Sequence, residues 1–215
     1  MPTLVIGNKN YSSWSLRPWL VLKHLGVSFE EVQLQLGTPS FKQQVGQYSQ
    51  AGRVPVLVEG SLNIGDSLAI CEYLAEDHPR LWPDDRCQRA LARALVCEMH
   101  SGFNALRNAL PMNCRANQRQ LQISATVRQD IDRIEQIWQQ CADTRTREGP
   151  WLFGRFGIID AFFAPLAIRF QGYRLNLNPN SADYIRLQLE NPLLQEWITA
   201  GQRESAVIPS EEAGA

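Results

Sequence analysis

Apolar residues change their spacing about a third of the way along the chain. Before residue 79 they come in short stretches of changing period. Residues 3–6 are rich in β-formers, residues 15–25 repeat at helical spacing and stop at Gly26, and residues 29–34 alternate apolar with polar. Thr38-Pro39-Ser40 then opens a helix. Residues 55–58 and 62–64 read as strands joined by a tight turn at Glu59-Gly60, and residues 66–76 read as a helix. The order is β-α-β-α-β-β-α. A short β-α-β unit pairs its strands in parallel through a right-handed crossover, whereas the turn at Glu59-Gly60 makes an antiparallel hairpin. A small mixed sheet with helices on both faces follows.

Beyond residues 79–85 strand signals almost vanish. Residues 86–109, 118–141, 158–171 and 181–201 carry apolar residues at helical period, which predicts an all-α bundle. The expected division is an α/β domain over 1–78, a linker over 79–86, a helical domain over 87–203 and a disordered tail over 204–215. Within that tail only Val207-Ile208 is apolar enough to dock. Trp138, Trp151, Phe153, Phe162 and Phe163 are expected in the bundle core, with His24 and His78 as surface residues.

Composition narrows the function classes. At 215 residues, 44% hydrophobic and 20% charged, the chain can bury a core without disulfide or metal staples. Lys+Arg 21 against Asp+Glu 22 gives a net charge of −1 with no block of like charge, which argues against a nucleic-acid surface. The N-terminal residues lack the basic and apolar stretches of a secretory signal, and no apolar run approaches the roughly 20 residues of a membrane span. A cytoplasmic protein that binds no membrane is expected. Its five cysteines are scattered, without a Cys-x-x-Cys pair or a histidine at ligand spacing, so free thiols and no metal are expected.

Three local motifs punctuate the first half: Ser12-Ser13-Trp14-Ser15-Leu16-Arg17 in the first β–α loop, Gly52-Arg53-Val54-Pro55 before the third strand, and Gly65-Asp66-Ser67 at the third helix. The second half carries Gly154-Arg155-Phe156-Gly157-Ile158-Ile159-Asp160. In order and separation these resemble the cytosolic glutathione S-transferases over about residues 2 to 200, and the first loop is most similar to the serine-type zeta and tau classes. The resemblance implies a thioredoxin-like N-terminal domain, an all-helical C-terminal domain and a homodimer. It also implies a detoxifying transferase that uses glutathione as co-substrate against a small electrophile. A zeta-type cis–trans isomerase, as in maleylacetoacetate isomerase, and a non-catalytic binding module of the same fold are the alternatives. Where the zeta pattern has cysteine this chain has Trp14, and the loop cysteine of the omega and beta classes is absent, which disfavours thiol–disulfide chemistry.

The resemblance assigns the glutathione thiolate to a loop hydroxyl. Ser12, five residues before Arg17, is the expected donor and Ser13 the alternative, either of them being equally able to cap the helix. Lowering a thiol pKa from about 8.5 to about 6.5 takes roughly 2.7 kcal/mol. One hydrogen bond to a charged acceptor supplies about 1.5–3 kcal/mol and a helix N-terminus about 0.3–1. By the same resemblance Val54, before a cis Pro55, pairs with glutathione through its main chain, Ser67 receives the γ-glutamyl carboxylate and Asp66 faces the α-amino group, while Arg53 either reaches the glycyl carboxylate or is solvated. The electrophile pocket is expected from Tyr11, Trp14, His100, Phe103, Asn104 and Arg107, the last four at i, i+3, i+4, i+7 of one helix. Arg107 and His100 suit an acidic or enolate-like substrate, the alternative being a solvated or ion-paired face. Gly157 stands where a hydroxyl N-cap is usual, with Asp160 at the third position of the box, a folding element.

Overall fold

The computed structural model describes residues 1–144 and 149–214. Its first half runs β1 (Thr3–Ile6), α1 (Ser13–Leu25), β2 (Glu30–Gln33), α2 (Phe41–Val45), β3 (Val56–Glu59), β4 (Leu62–Ile64) and α3 (Ser67–Asp77). The sheet order is β2-β1-β3-β4: β1 and β2 are parallel with Val5 opposite Val32, β1 and β3 antiparallel with Leu4 opposite Leu57, and β3–β4 is the hairpin. Alternation along β1 sends Leu4 and Ile6 into the main core with Leu16, Leu20 and Ile70, while Val5 faces a smaller cluster with Leu34, Val45 and Val56. Helix α1 ends where Gly26 takes the left-handed conformation (φ 67°) and its N–H returns to Leu22 and Lys23 carbonyls.

The second half is helical: α4 (Arg86–Ser101), α5 (Asn104–Ala109), α6 (Ala125–Thr144), α7 (Ile158–Gly172), α8 (Pro179–Glu190) and α9 (Pro192–Gln202). Helix α7 is buried on nearly every side, which explains its continuous apolar run. All five cysteines are free. Among the described residues no helix is long and apolar enough to cross a membrane, and no cluster of His, Cys, Asp and Glu could hold a metal ion.

Four expectations are corrected. The single helix over 86–109 breaks at Gly102, whose N–H closes α4 on Glu98 O, and at Phe103, which is left-handed (φ 59°). A Cβ at Gly102 would stand 2.8 Å from Glu98 O, so this break needs glycine. Residues 118–124 precede α6 instead of opening it: Arg119 exchanges backbone hydrogen bonds with Gly172 and Arg174. The helix over 181–201 divides at Asn191-Pro192, where the Asn191 side chain accepts from Leu193 N–H. Over residues 204–214 the tail expected to be disordered is docked, and the last residue of that expectation lies outside the described residues. The Glu204 carboxylate accepts from Lys9 N (2.7 Å), Asn10 N (3.2 Å) and Gln33 Nε2 (2.6 Å), and Glu212 accepts from Tyr11 Oη and Arg119 Nη2, each 2.6 Å away. Trp151 is half-buried against Phe156, whereas Trp138, Phe153, Phe162 and Phe163 are core.

Candidate functional site

The loop after β1 delivers two buried serines to the start of α1. Ser12 is the N-cap: its Oγ accepts from Ser15 N–H (3.4 Å) and donates to Ser15 Oγ (2.7 Å), which also accepts from Gly7 N–H (3.2 Å). Ser13 Oγ faces α7 and accepts from Arg169 Nη2 (3.4 Å). Arg169 is held from behind by the carbonyls of Leu110 and Arg107.

Trp14, 37% exposed, gathers the cations of the cleft. The Arg17 and Arg107 guanidiniums lie 4.3 and 4.9 Å from its ring centre, and His100 meets it edge-on at 5.2 Å. Arg17 is wholly buried between Trp14 and Phe162, and among the described residues none of its three nitrogens has a hydrogen-bond partner. Burial drives its pKa well down, Arg107 and Arg169 push the same way, and the charge of Asp66 opposes them. Burial likewise lowers His100, against the pull of Asp66, so its imidazole is neutral at pH 7. Arg107 donates to Gly102 O (2.9 Å) and Met99 O, closing the broken end of α4.

Across the cleft Asp66 caps α3, its Oδ1 accepting from Leu68 N (2.7 Å) and Ala69 N (3.1 Å), while Oδ2 stands 3.3 Å from His100 Nε2. The Ser67 hydroxyl beside it is buried and has no partner among the described residues. The Val54–Pro55 peptide is cis and Arg53 is exposed.

The structure therefore brings Ser13, Trp14, His100 and Arg107 together beside Asp66, and leaves three expected residues elsewhere. Because α4 and α5 are separate, His100, Phe103, Asn104 and Arg107 share no helical face: Phe103 enters the core and Asn104 is exposed. Tyr11 turns away to the tail, its hydroxyl bonded to Glu212, Arg115 and Ile208 N–H.

A family model described as glutathione S-transferase, N-terminal domain, matches residues 11–77, the span holding both serines, Val54-Pro55 and Ser67. A solved glutathione transferase homolog from Burkholderia, with bound glutathione, superposes with a TM-score of 0.70 at 25% identity over 94% of this chain and 99% of that one. Residues 11–77 match the N-terminal domain of the glutathione S-transferase superfamily, and the whole chain shares the fold of its solved members. Its relatives place it near the zeta class of that superfamily. Maleylacetoacetate isomerase of Rattus norvegicus is 28% identical over 185 residues, 83% of this chain and 82% of the relative. Glutathione S-transferase Z2 of Arabidopsis thaliana is 27% identical over 186 residues, 80% of each.

Two residues of the cleft escaped the sequence reading. Arg17 served there only as a landmark for counting, and Arg169 lay inside a run read as core. The signal available for Arg169 was a lone cation directly after the apolar run Ala161-Phe162-Phe163-Ala164-Pro165-Leu166-Ala167-Ile168.

Proposed function

We propose that this protein is a glutathione transferase that holds the glutathione thiol as thiolate at the first loop and presents it to a small electrophile. The observation that carries the reading is the pair of helix starts, α1 with its two serines and α3 with a buried Ser67 hydroxyl that has no partner among the described residues, bridged by Trp14 and His100. A buried hydroxyl without a partner costs stability unless a ligand satisfies it. The γ-glutamyl carboxylate of glutathione suits Ser67 and the positive end of α3; Asp66 keeps one oxygen toward His100 and faces the α-amino group. Arg53 takes the glycyl carboxylate and the Val54 main chain the cysteinyl backbone. Glutathione supplies the nucleophile, a thiolate able to attack an electrophilic carbon. The chain's own contribution is a hydroxyl donor, a helix N-terminus and nearby cations.

A second reading is favoured by one specific observation. Arg17 is buried and cationic beside Trp14, without a hydrogen-bond partner among the described residues and with Arg107 and Arg169 acting on it, an environment suited to an acidic conjugated substrate of the kind a zeta-type isomerase handles. There the thiolate adds to a double bond, rotation follows, and the thiolate leaves. In both readings the protein works as a homodimer in the cytoplasm.

Calorimetric titration with reduced glutathione tests the shared core of both. Saturable binding at one per subunit supports it; no binding at millimolar glutathione leaves the non-catalytic module. Stoichiometric loss of glutathione during turnover marks a transferase, and its regeneration an isomerase.

A further inference from the structure

The two loop serines are not equivalent. The Ser12 hydroxyl is committed twice, accepting from Ser15 N–H and donating to Ser15 Oγ, which Gly7 N–H fixes in turn. Turning Ser12 toward a ligand would break a 2.7 Å hydrogen bond and uncap α1. The Ser13 hydroxyl instead accepts from a guanidinium, and its own proton has no acceptor among the described residues. A hydroxyl that accepts from a cation becomes a stronger donor, because the two bonds polarise each other.

We propose that Ser13, backed by Arg169, is the hydroxyl that donates to the glutathione thiolate, with Ser12 acting as the helix cap. This assignment rests on the glutathione reading above. Ser13 is then the catalytic residue and Arg169 a positioning residue acting through it. Arg169 cannot swing away, because the carbonyls of Leu110 and Arg107 hold its other nitrogen. Burial lowers its pKa to about 10, with Arg107 adding to the shift, which leaves it charged at neutral pH. The charged and titratable groups coupled to Arg169, His100 and Arg17 come from every neighbouring element: Asp66 and Cys71 of α3, Arg107 of α5, Tyr173 just after α7 and Glu211 of the tail, with Asp130 of α6 acting on Arg107. The Arg169 guanidinium directly on Ser13, with those of Arg17 and Arg107 behind it, gives a local field that favours a thiolate over a thiol, opposed by the more distant charges of Asp66, Glu211 and Asp130.

The test is the pKa of the bound thiol, read from thiolate ultraviolet absorbance across pH at saturating glutathione, together with urea unfolding of each free protein. In Ser13→Ala the bound-thiol pKa should rise by about one unit or more, and kcat/KM near pH 7 should fall about tenfold and recover at higher pH. Arg169→Gln should move the pKa the same way and Arg169→Lys should restore part of it, which a purely structural role would not do. Should Arg169→Gln fail to fold, Ser13→Ala and Arg169→Lys still decide. Ser12→Ala should lower the urea midpoint and leave the bound-thiol pKa within a few tenths of the wild-type value. A pKa that moves in Ser12→Ala and not in Ser13→Ala overturns the assignment while leaving glutathione binding intact. Failure of the wild-type protein to bind glutathione overturns the function reading and this assignment with it.

Discussion

Replacing Asp160 by alanine should cost roughly 3–5 kcal/mol of folding stability. Asp160 lies wholly buried in the first turn of α7, and three donors meet on its carboxylate: Leu152 N (3.1 Å) and Tyr184 Oη (2.9 Å) on Oδ1, and Gly157 N (3.0 Å) on Oδ2. Gly157 has no side chain to cap α7, so the carboxylate supplies the only side-chain half of the box. Alanine would strand three buried donors at about 1–3 kcal/mol each, with relief of the carboxyl's own desolvation giving part of that back. Against a total of about 5–15 kcal/mol for a typical domain, the loss is easily measured. Urea unfolding followed by tryptophan fluorescence is the assay, since Trp138 packs 5.0 Å from Tyr184 in ring-centre distance. A loss below about 1 kcal/mol would refute the accounting. The pH dependence gives a second check. Burial pushes the Asp160 carboxyl up to about 7 against the pull of its three donors. The native state therefore holds a proton that the unfolded chain releases near pH 4. The Asp160 contribution to stability is full below that pH and declines as pH rises through about 7. That declining component should vanish in the alanine variant.

Three further outcomes are expected. Ser67→Ala should weaken glutathione binding by about ten- to a hundredfold in calorimetry, with little change in the urea midpoint, because its buried hydroxyl has no partner among the described residues. Arg17→Met should leave the melting temperature unchanged or raise it, since a buried unpartnered cation costs several kcal/mol and two ring contacts return only about 1–2 each, while turnover of carboxylate-bearing electrophiles falls more than that of neutral ones. Destabilisation beyond about 1 kcal/mol would contradict it. Glu212→Gln should speed limited proteolysis of residues 204–214 without shifting global unfolding. Although burial opposes ionisation of Glu212, its donors Tyr11 and Arg119 hold its pKa below the usual range, so the tail should also loosen as pH falls through that lowered value.

What the sequence discloses here divides by the distance of the partners. The element order of the first half, the change of texture near residue 79 and the three motifs are local, carried by period, turn residues and caps, and the structure has the same sheet and helices within a few residues. The joints were not legible for a different physical reason. Apolar spacing runs on through Gly102, because Leu95, Met99, Leu106 and Leu110 all enter one core even though the helix breaks between them. Residues 118–124 stay outside the helix, with Arg119 bonded to Gly172 and Arg174, some 50 residues away, and the polar tail is held by Lys9, Asn10, Tyr11 and Arg119. The cleft follows the same rule. Ser12, Ser13 and Ser67 stand out as cap-forming hydroxyls, but what separates Ser12 from Ser13 is Arg169, 156 positions further on. A charged residue within a run that burial otherwise fills must find its compensation outside that run. For Arg169 the compensation is two carbonyls and a serine; for Arg17 the described residues supply two aromatic faces and the charge of Asp66 but no hydrogen bond, which leaves room for an anion beside it.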